Sequence, residues 1–317
     1  MQALFEKIMD GGKINREEAL SLYEADLENL CACADKLRKH FCGNHFDFCT
    51  ITSGKSGKCS ENCKFCAQSA YYDTETETFP LRDADDLCKD AQYNADKGVM
   101  RFSVVTSGKR LAAQEIDTLC EAYKKITKET NIALCASHGL LAESDFAKLK
   151  ASGVTRCHNN LETSRNFFPQ VCTSHSYEEK IAAIKAAQKA GLSVCSGGII
   201  GLGETLEDRV DLALELRTLG IQSVPVNFLN PIHGTPFAYL PKITPEDARR
   251  TVAIFRFILP GAAIRLAGGR GLFADKGESL FCSGANAAIS GDMLTTAGVS
   301  IDTDFQMIRA LGFHIGK

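Results

Sequence analysis

The run Cys59-Ser60-Glu61-Asn62-Cys63-Lys64-Phe65-Cys66 places three thiols on one short segment, and their spacing is C-x3-C-x2-C. A structural zinc site takes four ligands, usually as two separated pairs. Thiolates are also the standard ligands of iron–sulfur clusters. Three of them can hold three irons of a 4Fe–4S cubane and leave the fourth iron open to chelate an amino and a carboxylate group. Phe65, directly before the last cysteine, is placed to shield such a cluster from water and help set its potential. The competing readings are a zinc site completed by a distant fourth ligand, or three unrelated loop thiols.

The chain holds fourteen cysteines in 317 residues. In a secreted mini-protein that density means disulfides, whereas a cytosolic enzyme keeps thiols for metals or catalysis. Cys88 and Cys120 fall inside helical patterns and read as packing residues. A net charge of −3 and the lack of any Lys/Arg run predict no nucleic-acid partner. The N-terminal stretch has no signal-peptide apolar segment. No apolar run reaches the ~20 residues that span a bilayer. These features predict a cytoplasmic protein without a membrane partner.

The elements that must position the thiols alternate between apolar and amphipathic. Apolar runs at 46–52, 100–106, 132–137, 155–160, 193–200, 223–229, 262–267 and 285–290 are separated by segments with 3.6-residue periodicity. Gly153, Gly191 and Gly220 stand where helix C-caps belong, each just before a strand. Eight strands, each followed by a helix or loop, predict an α/β fold of the (β/α)8 TIM-barrel type. An open doubly wound sheet is the alternative. With no linker composition anywhere, the chain reads as one domain: a helical extension over 1–42, the barrel over 43–300 and a helical tail over 301–317. Residues 64–80 form a long loop after the first strand, at the rim where barrel active sites sit.

The C-x3-C-x2-C spacing after a first strand is that of the radical S-adenosylmethionine (SAM) superfamily. From about residue 43 to 312 the chain further resembles biotin synthase. The matching stretches are Lys55-Ser56-Gly57-Lys58-Cys59, Asn160-Leu161-Glu162-Thr163-Ser164, Cys195-Ser196-Gly197-Gly198-Ile199-Ile200-Gly201-Leu202-Gly203-Glu204-Thr205, Ser223-Val224-Pro225-Val226-Asn227 and Gly284-Ala285-Asn286. The resemblance implies that a reduced 4Fe–4S cluster on Cys59, Cys63 and Cys66 cleaves SAM. The resulting radical activates dethiobiotin, and an auxiliary iron–sulfur cluster donates the sulfur of biotin. It further implies a reduced flavodoxin or ferredoxin as electron donor, and a homodimer.

The same resemblance assigns roles to single residues. Glu162 receives the SAM ribose hydroxyls, Asn160 bridges SAM and the substrate's ureido ring, and Ile199 lies where adenine approaches a glycine-rich backbone. Lys180 stands where the family usually has an arginine near the SAM carboxylate. Asn227 reads the ureido ring, and Thr295 lies near the substrate's carboxylate tail. Bland readings exist for each: turn residues for Asn160 and Asn227, a solvated helix face for Lys180, and a strand-to-helix turn for Gly201-Leu202-Gly203-Glu204.

One part of the pattern is broken. The family's auxiliary 2Fe–2S cluster sits on three strand cysteines and one arginine. Cys135, Cys195 and Arg265 match, but Ser103 stands where the third cysteine belongs, and an alkoxide is a poor substitute for thiolate. Cys49 on the first strand is the expected replacement, with Cys157 and His158 on the fourth strand as lesser alternatives and Cys172 behind them. If Asn160 points into the barrel, strand alternation turns His158 inward and Cys157 toward the helices. A displaced ligand predicts an auxiliary cluster that is either 2Fe–2S or a larger, four-iron type. Two other functions remain open: a barrel radical SAM enzyme related to the hydrogenase maturase group, and an electron-transfer iron–sulfur protein without catalysis.

Overall fold

The computed structural model describes residues 1–315. Strands β1 (His45–Lys55), β2 (Arg101–Thr106), β3 (Ala133–Ser137), β4 (Val154–His158), β5 (Ser193–Cys195), β6 (Gly198–Ile200), β7 (Ser223–Phe228), β8 (Ala263–Leu266) and β9 (Ala287–Ser290) run parallel. They pair in the order β1-β2-β3-β4-β5-β7-β8-β9, and β9 returns to β1. That last pairing closes the sheet into a barrel and excludes the open doubly wound alternative.

The fifth predicted strand is two short pieces, β5 and β6, with β6 paired to β7. The break is forced by close packing. A Cβ on Gly197 would lie 1.9 Å from the Pro225 carbonyl oxygen, and one on Gly198 would lie 2.4 Å from that of Glu162. The two glycines therefore let three backbones converge. The other departure is at the C-terminus. The expected helical tail is a helix at Ile301–Ala310 followed by a short strand, β10 (His314–Ile315), which pairs with the start of β1. Before the barrel stand the helices Gln2–Met9, Arg16–Ser21 and Leu27–Cys42, with a 3-10 turn at Leu22–Glu24, and Leu27–Cys42 packs on the helix Pro245–Ile258.

Strand alternation divides the buried side chains into two chemically different layers. Outward-facing Phe48, Phe102, Leu134, Ala136, Cys157, Val194, Val224 and Ile264 join the apolar layer under the helices. Cys88 and Cys120 belong to the same layer, as packing residues. The inward face is polar for a barrel interior. Its register rows are Ile289–Cys49–Arg101, Ser103–Cys135–Arg156, His158–Cys195–Ser223 and Pro225–Arg265–Ala287–Asp47.

A buried ion pair fixes the last quarter of the barrel. Arg270, just after β8, gives both guanidinium ends to Asp304 at 2.7 and 2.6 Å, and both side chains are almost fully enclosed. Arg270 also donates to the Lys276 carbonyl, so the turn after β8 and the terminal helix are held together. Removing one partner of such a pair leaves an uncompensated buried charge, at a cost of about 3–5 kcal/mol. Asp304→Ala should lower unfolding stability by about that amount, measured by urea denaturation of cluster-free protein. A loss within 0.5 kcal/mol of zero, the range of ordinary surface changes, would show that water solvates Arg270 instead.

Candidate active site

At the C-terminal mouth of the barrel lies a cavity of about 260 Å3. Phe65, Cys66 and Gln68 of the thiol loop form one wall. His158, Asn160, Glu162, Ile199 and Asn227 form the next, and residues 293–296 close the far side. Cys66 of the thiol loop thus meets Asn160, Glu162, Ile199, Asn227 and Thr295 in one space, whereas Cys59, Cys63 and Lys180 are not in its lining.

Asn160 and Glu162 are not on a strand, because β4 ends at His158. A turn places them instead. Glu162 adopts φ of +73°, the left-handed region that costs a non-glycine residue about 1–3 kcal/mol. Two backbone bonds sustain it, Glu162 N–H to the Gly197 carbonyl at 3.1 Å and Ile199 N–H to the Glu162 carbonyl at 2.8 Å. Its Oε1 is 3.8 Å from Lys180 Nζ, while the buried Oε2 has no partner. Burial raises the Glu162 pKa, and Lys180 and Asn160 pull it back. Lys180 is itself buried, so it is not on a solvated helix face.

The amide of Asn160 is oriented by its neighbours. Its Oδ1 accepts from Gly197 N–H at 3.1 Å and lies 3.0 Å from His158 Nε2. Burial lowers the His158 pKa to about 4, so the ring is neutral at neutral pH. Nε2–H then donates to Asn160 and Nδ1 accepts from the Ser137 hydroxyl at 3.3 Å. Asn160 itself lines the cavity beside Glu162. Asn227 donates to the Gly198 carbonyl at 3.0 Å and accepts from Gly268 N–H at 2.9 Å. One amide hydrogen and one lone pair remain for a ligand. Gly201-Leu202-Gly203-Glu204 is the turn of the bland reading: Glu204 accepts from Gly201 N–H and from Arg209 Nε at 2.7 Å.

The thiol loop has no regular secondary structure and is pinned from outside. Cys59 N–H bonds the Gln68 carbonyl, Lys64 N–H bonds the Val171 carbonyl, and Asn62 N–H bonds Ser174 Oγ at 3.0 Å. Cys59, Cys63 and Cys66 are all partly accessible. Burial pushes the Cys66 thiol up to about 11. Phe65 packs on Val171, Leu202 and Leu229, an apolar patch at the cavity wall.

Deeper in the barrel, Cys49, Cys135, Cys195 and Arg265 face inward, below the cavity and not in its lining. Burial raises the Cys49 pKa against the pull of Arg265, with Cys135, Asp47 and Cys195 also in range. Burial likewise raises Cys135, opposed by Arg101 and Arg156. Burial opposes the charge of Arg265, but Asp47 and the three thiols outweigh it and raise the pKa. Arg265 Nη2 lies 2.8 Å from Asp47 Oδ2, and its Nη1 donates to the carbonyls of Asp47 and Ala288. Asp47, with Arg156 at 3.2 Å as well, is held down to about 2: burial alone would raise it, and the three arginines prevail.

Parity holds on the fourth strand. A bulge does shift β4 against β3, but it falls before Arg156. Cys157 pairs laterally with Ala136 and Val194 in the helix-facing layer, and His158 belongs to the cavity. Cys172 lies beside the thiol loop, outside the barrel interior. Sequence reasoning treated His158 only as a spare ligand, and missed its hold on Asn160. It also missed Asp47 and Arg156, because no local pattern reveals which charges a closed barrel brings together.

Comparison with known proteins agrees with this arrangement. Residues 55–216 match the family profile described as Radical SAM superfamily, and residues 225–314 match that of the Biotin and Thiamin Synthesis associated domain. The biotin synthase of Brachyspira hyodysenteriae is 58% identical over 315 residues, covering 99% of this chain and 95% of that protein. That of Akkermansia muciniphila is 53% identical over 313 residues, covering 99% and 98%. Among solved structures, methylornithine synthase superposes with a TM-score of 0.86 at 17% identity, over 99% of this chain and 97% of the other. A maturase of the [FeFe]-hydrogenase gives 0.85 at 18%, over 99% and 75%. At such identities the structural likeness shows the barrel alone, so the maturase-like function gains nothing from it. The sequence likeness over nearly the full length decides: the chain belongs to the biotin synthase family of radical SAM enzymes.

Proposed function

We propose that this chain converts dethiobiotin to biotin with the residues assembled above. Cys59, Cys63 and Cys66 hold the 4Fe–4S cluster. SAM lies against Asn160, Glu162, Lys180 and Ile199, and dethiobiotin against Asn160, Asn227 and Thr295. Cys49, Cys135 and Cys195 carry the auxiliary cluster, 2Fe–2S or a larger four-iron type, with Arg265 ligating it or beside it. One observation carries the reading. Cys66 and the five residues Asn160, Glu162, Ile199, Asn227 and Thr295 line a single cavity, and three inward thiols lie beneath it in the same barrel.

The donor sets fit the groups they are proposed to hold. Three loop thiols give a cubane all but one ligand, and the orphaned Glu162 Oε2 is an acceptor awaiting a hydroxyl pair. When bound, the clusters supply an electron for SAM cleavage and a sulfur atom for the product. The rest is the work of the chain. Glu162 accepts the ribose hydroxyls while Lys180 balances its charge. His158 keeps the Asn160 amide turned toward the ligand. Asn227 offers its spare hydrogen and lone pair to the ureido ring. Phe65, Ile199 and Leu229 keep water from the reacting carbons.

In the auxiliary site, the thiols must shed their protons on metal binding, and the cations Arg265, Arg101 and Arg156 favour that loss. Cys49 does not replace the missing cysteine laterally. Ser103 pairs with Ile51, and Cys49 pairs with Arg101, one inward-facing step deeper. The cluster is therefore proposed to sit deeper than one held at the Ser103 level. A cytoplasmic location, a homodimer and a reduced flavodoxin or ferredoxin as electron donor complete the proposal, on family membership.

Cys59→Ala, Cys63→Ala and Cys66→Ala should each abolish SAM cleavage while circular dichroism shows a folded barrel; wild-type cleavage in any one of them would remove the loop from the chemistry. Glu162→Ala should weaken SAM binding by roughly 1–3 kcal/mol with both clusters retained, measured by anaerobic calorimetry. An unchanged affinity would leave Glu162 a purely structural residue. Cys49→Ser should lower iron content and stop biotin formation while the SAM-binding cluster keeps its spectrum, and Cys157→Ser should do much less. The reverse ranking of these two variants would move the auxiliary site to the fourth strand.

A further inference from the structure

Beside the thiol loop, three soft donors converge that the reaction does not use together. A ligand atom from each of Cys63, Cys172 and His175 lies within 4.8 Å of the other two. Cys172 Sγ is 3.3 Å from His175 Nδ1. That nitrogen is also the one Glu61 holds, so the unpartnered ring nitrogen Nε2 is the one left to ligate. His175 and Cys172 are buried, and His175 Nε2 has no partner at all. A carboxylate backs the imidazole: Glu61 Oε2 is 2.6 Å from His175 Nδ1 and accepts from Ser174 Oγ at 2.7 Å. A carboxylate behind a ligating histidine is the usual supporting arrangement of a zinc site.

The segment is also rigid in the way a metal site requires. Asn62 Oδ1 accepts the backbone N–H groups of Thr173 and Ser174, at 2.9 and 3.0 Å. The loop bearing Cys63 and the turn bearing Cys172 and His175 are thereby tied together whether or not a cluster is present.

We propose that the cluster-free chain binds one borderline-soft divalent cation, zinc above ferrous iron, through Cys63, Cys172 and His175. Because Cys63 is shared, this site and the 4Fe–4S cluster exclude each other. The proposal rests on the reading above in that one respect, the assignment of Cys63 to the cluster. The ion occupies the thiol loop before cluster assembly, shields Cys63 from oxidation and must leave as the cluster forms. Zinc should displace ferrous iron, in line with the stability order of the divalent metals.

The test uses the full-length chain purified without iron and titrated anaerobically with Co2+. Thiolate charge-transfer and tetrahedral ligand-field absorptions report the bound ion. Barrel-interior thiols that take cobalt form a background common to all variants. The wild type should show about one equivalent beyond that background, released by Zn2+, and cluster-loaded protein should show none of it. Cys172→Ala, Cys172→Ser and His175→Asn should each lose the increment, and Glu61→Gln should bind about 10-fold more weakly. Circular dichroism identifies any variant that fails to fold, and the two Cys172 substitutions of different volume provide the duplicate. Equal cobalt uptake by wild type and both Cys172 variants would overturn the site. Uptake of the increment by cluster-loaded protein would overturn the exclusion. After reconstitution, Cys172→Ala should keep the electron paramagnetic resonance signal of the reduced 4Fe–4S cluster and cleave SAM. Loss of that signal would make Cys172 a cluster ligand and overturn the separate site, whereas a retained increment in Cys63→Ala would show that the cation site does not use Cys63.

Discussion

A cation inside a closed barrel is costly, and the way Arg265 is kept there organises the interior. Its guanidinium is almost fully enclosed, and an isolated charge in such a place would cost several kcal/mol. Asp47 and the carbonyls of Asp47 and Ala288 repay that cost by direct contact. Asp47 in turn accepts Arg156, so a carboxylate with two close guanidinium partners forms the floor of the barrel. Everything above that floor inherits its field. Three buried thiols sit within reach of surplus positive charge, which is the condition a thiolate-rich cluster needs in a place without water.

The same pairing bears on what Arg265 can do. The guanidinium is already committed to a carboxylate and two carbonyls, which fixes its position beside the thiols. A third inward thiol, Cys49, stands at the level of Arg101, one inward-facing step below Ser103. Both sequence departures, serine on β2 and cysteine on β1, fall on the inward face at successive levels.

The upper half of the barrel depends on converging backbones more than on charge. Gly197 and Gly198 bring the β5–β6 run, β7 and the turn after β4 into contact, and the left-handed Glu162 is sustained by that contact. Its strain is sustained by hydrogen bonds on both sides, which leaves the carboxylate aimed with one oxygen unsatisfied. A site built in this way is ordered before its ligand arrives, so little of the binding energy is spent on ordering it. The thiol loop is ordered differently. It has no helix or strand of its own and takes its shape from Asn62 and the 171–175 turn.

Much of this was legible in the sequence because it depends on local pattern. Strand periodicity placed all eight staves among the described residues. The three-cysteine spacing marked a loop that reaches the cavity through Cys66, and strand parity separated His158 from Cys157, since side chains two apart share a face wherever the chain is extended. The unseen features are those in which distant segments meet. That the run 193–200 breaks in two follows from the close approach of Gly197 to Pro225 on β7, which neither periodicity nor composition reveals. That Lys180 is buried against Glu162, that Asp47 clamps Arg265 and that Cys172 stands beside Cys63 follow from barrel closure and loop docking. Sequence alone determined which residues could carry the chemistry, because side-chain type and spacing are local properties. Only the tertiary structure decided which of them share one space, because burial, charge pairing and close backbone approach exist only once the sheet has closed.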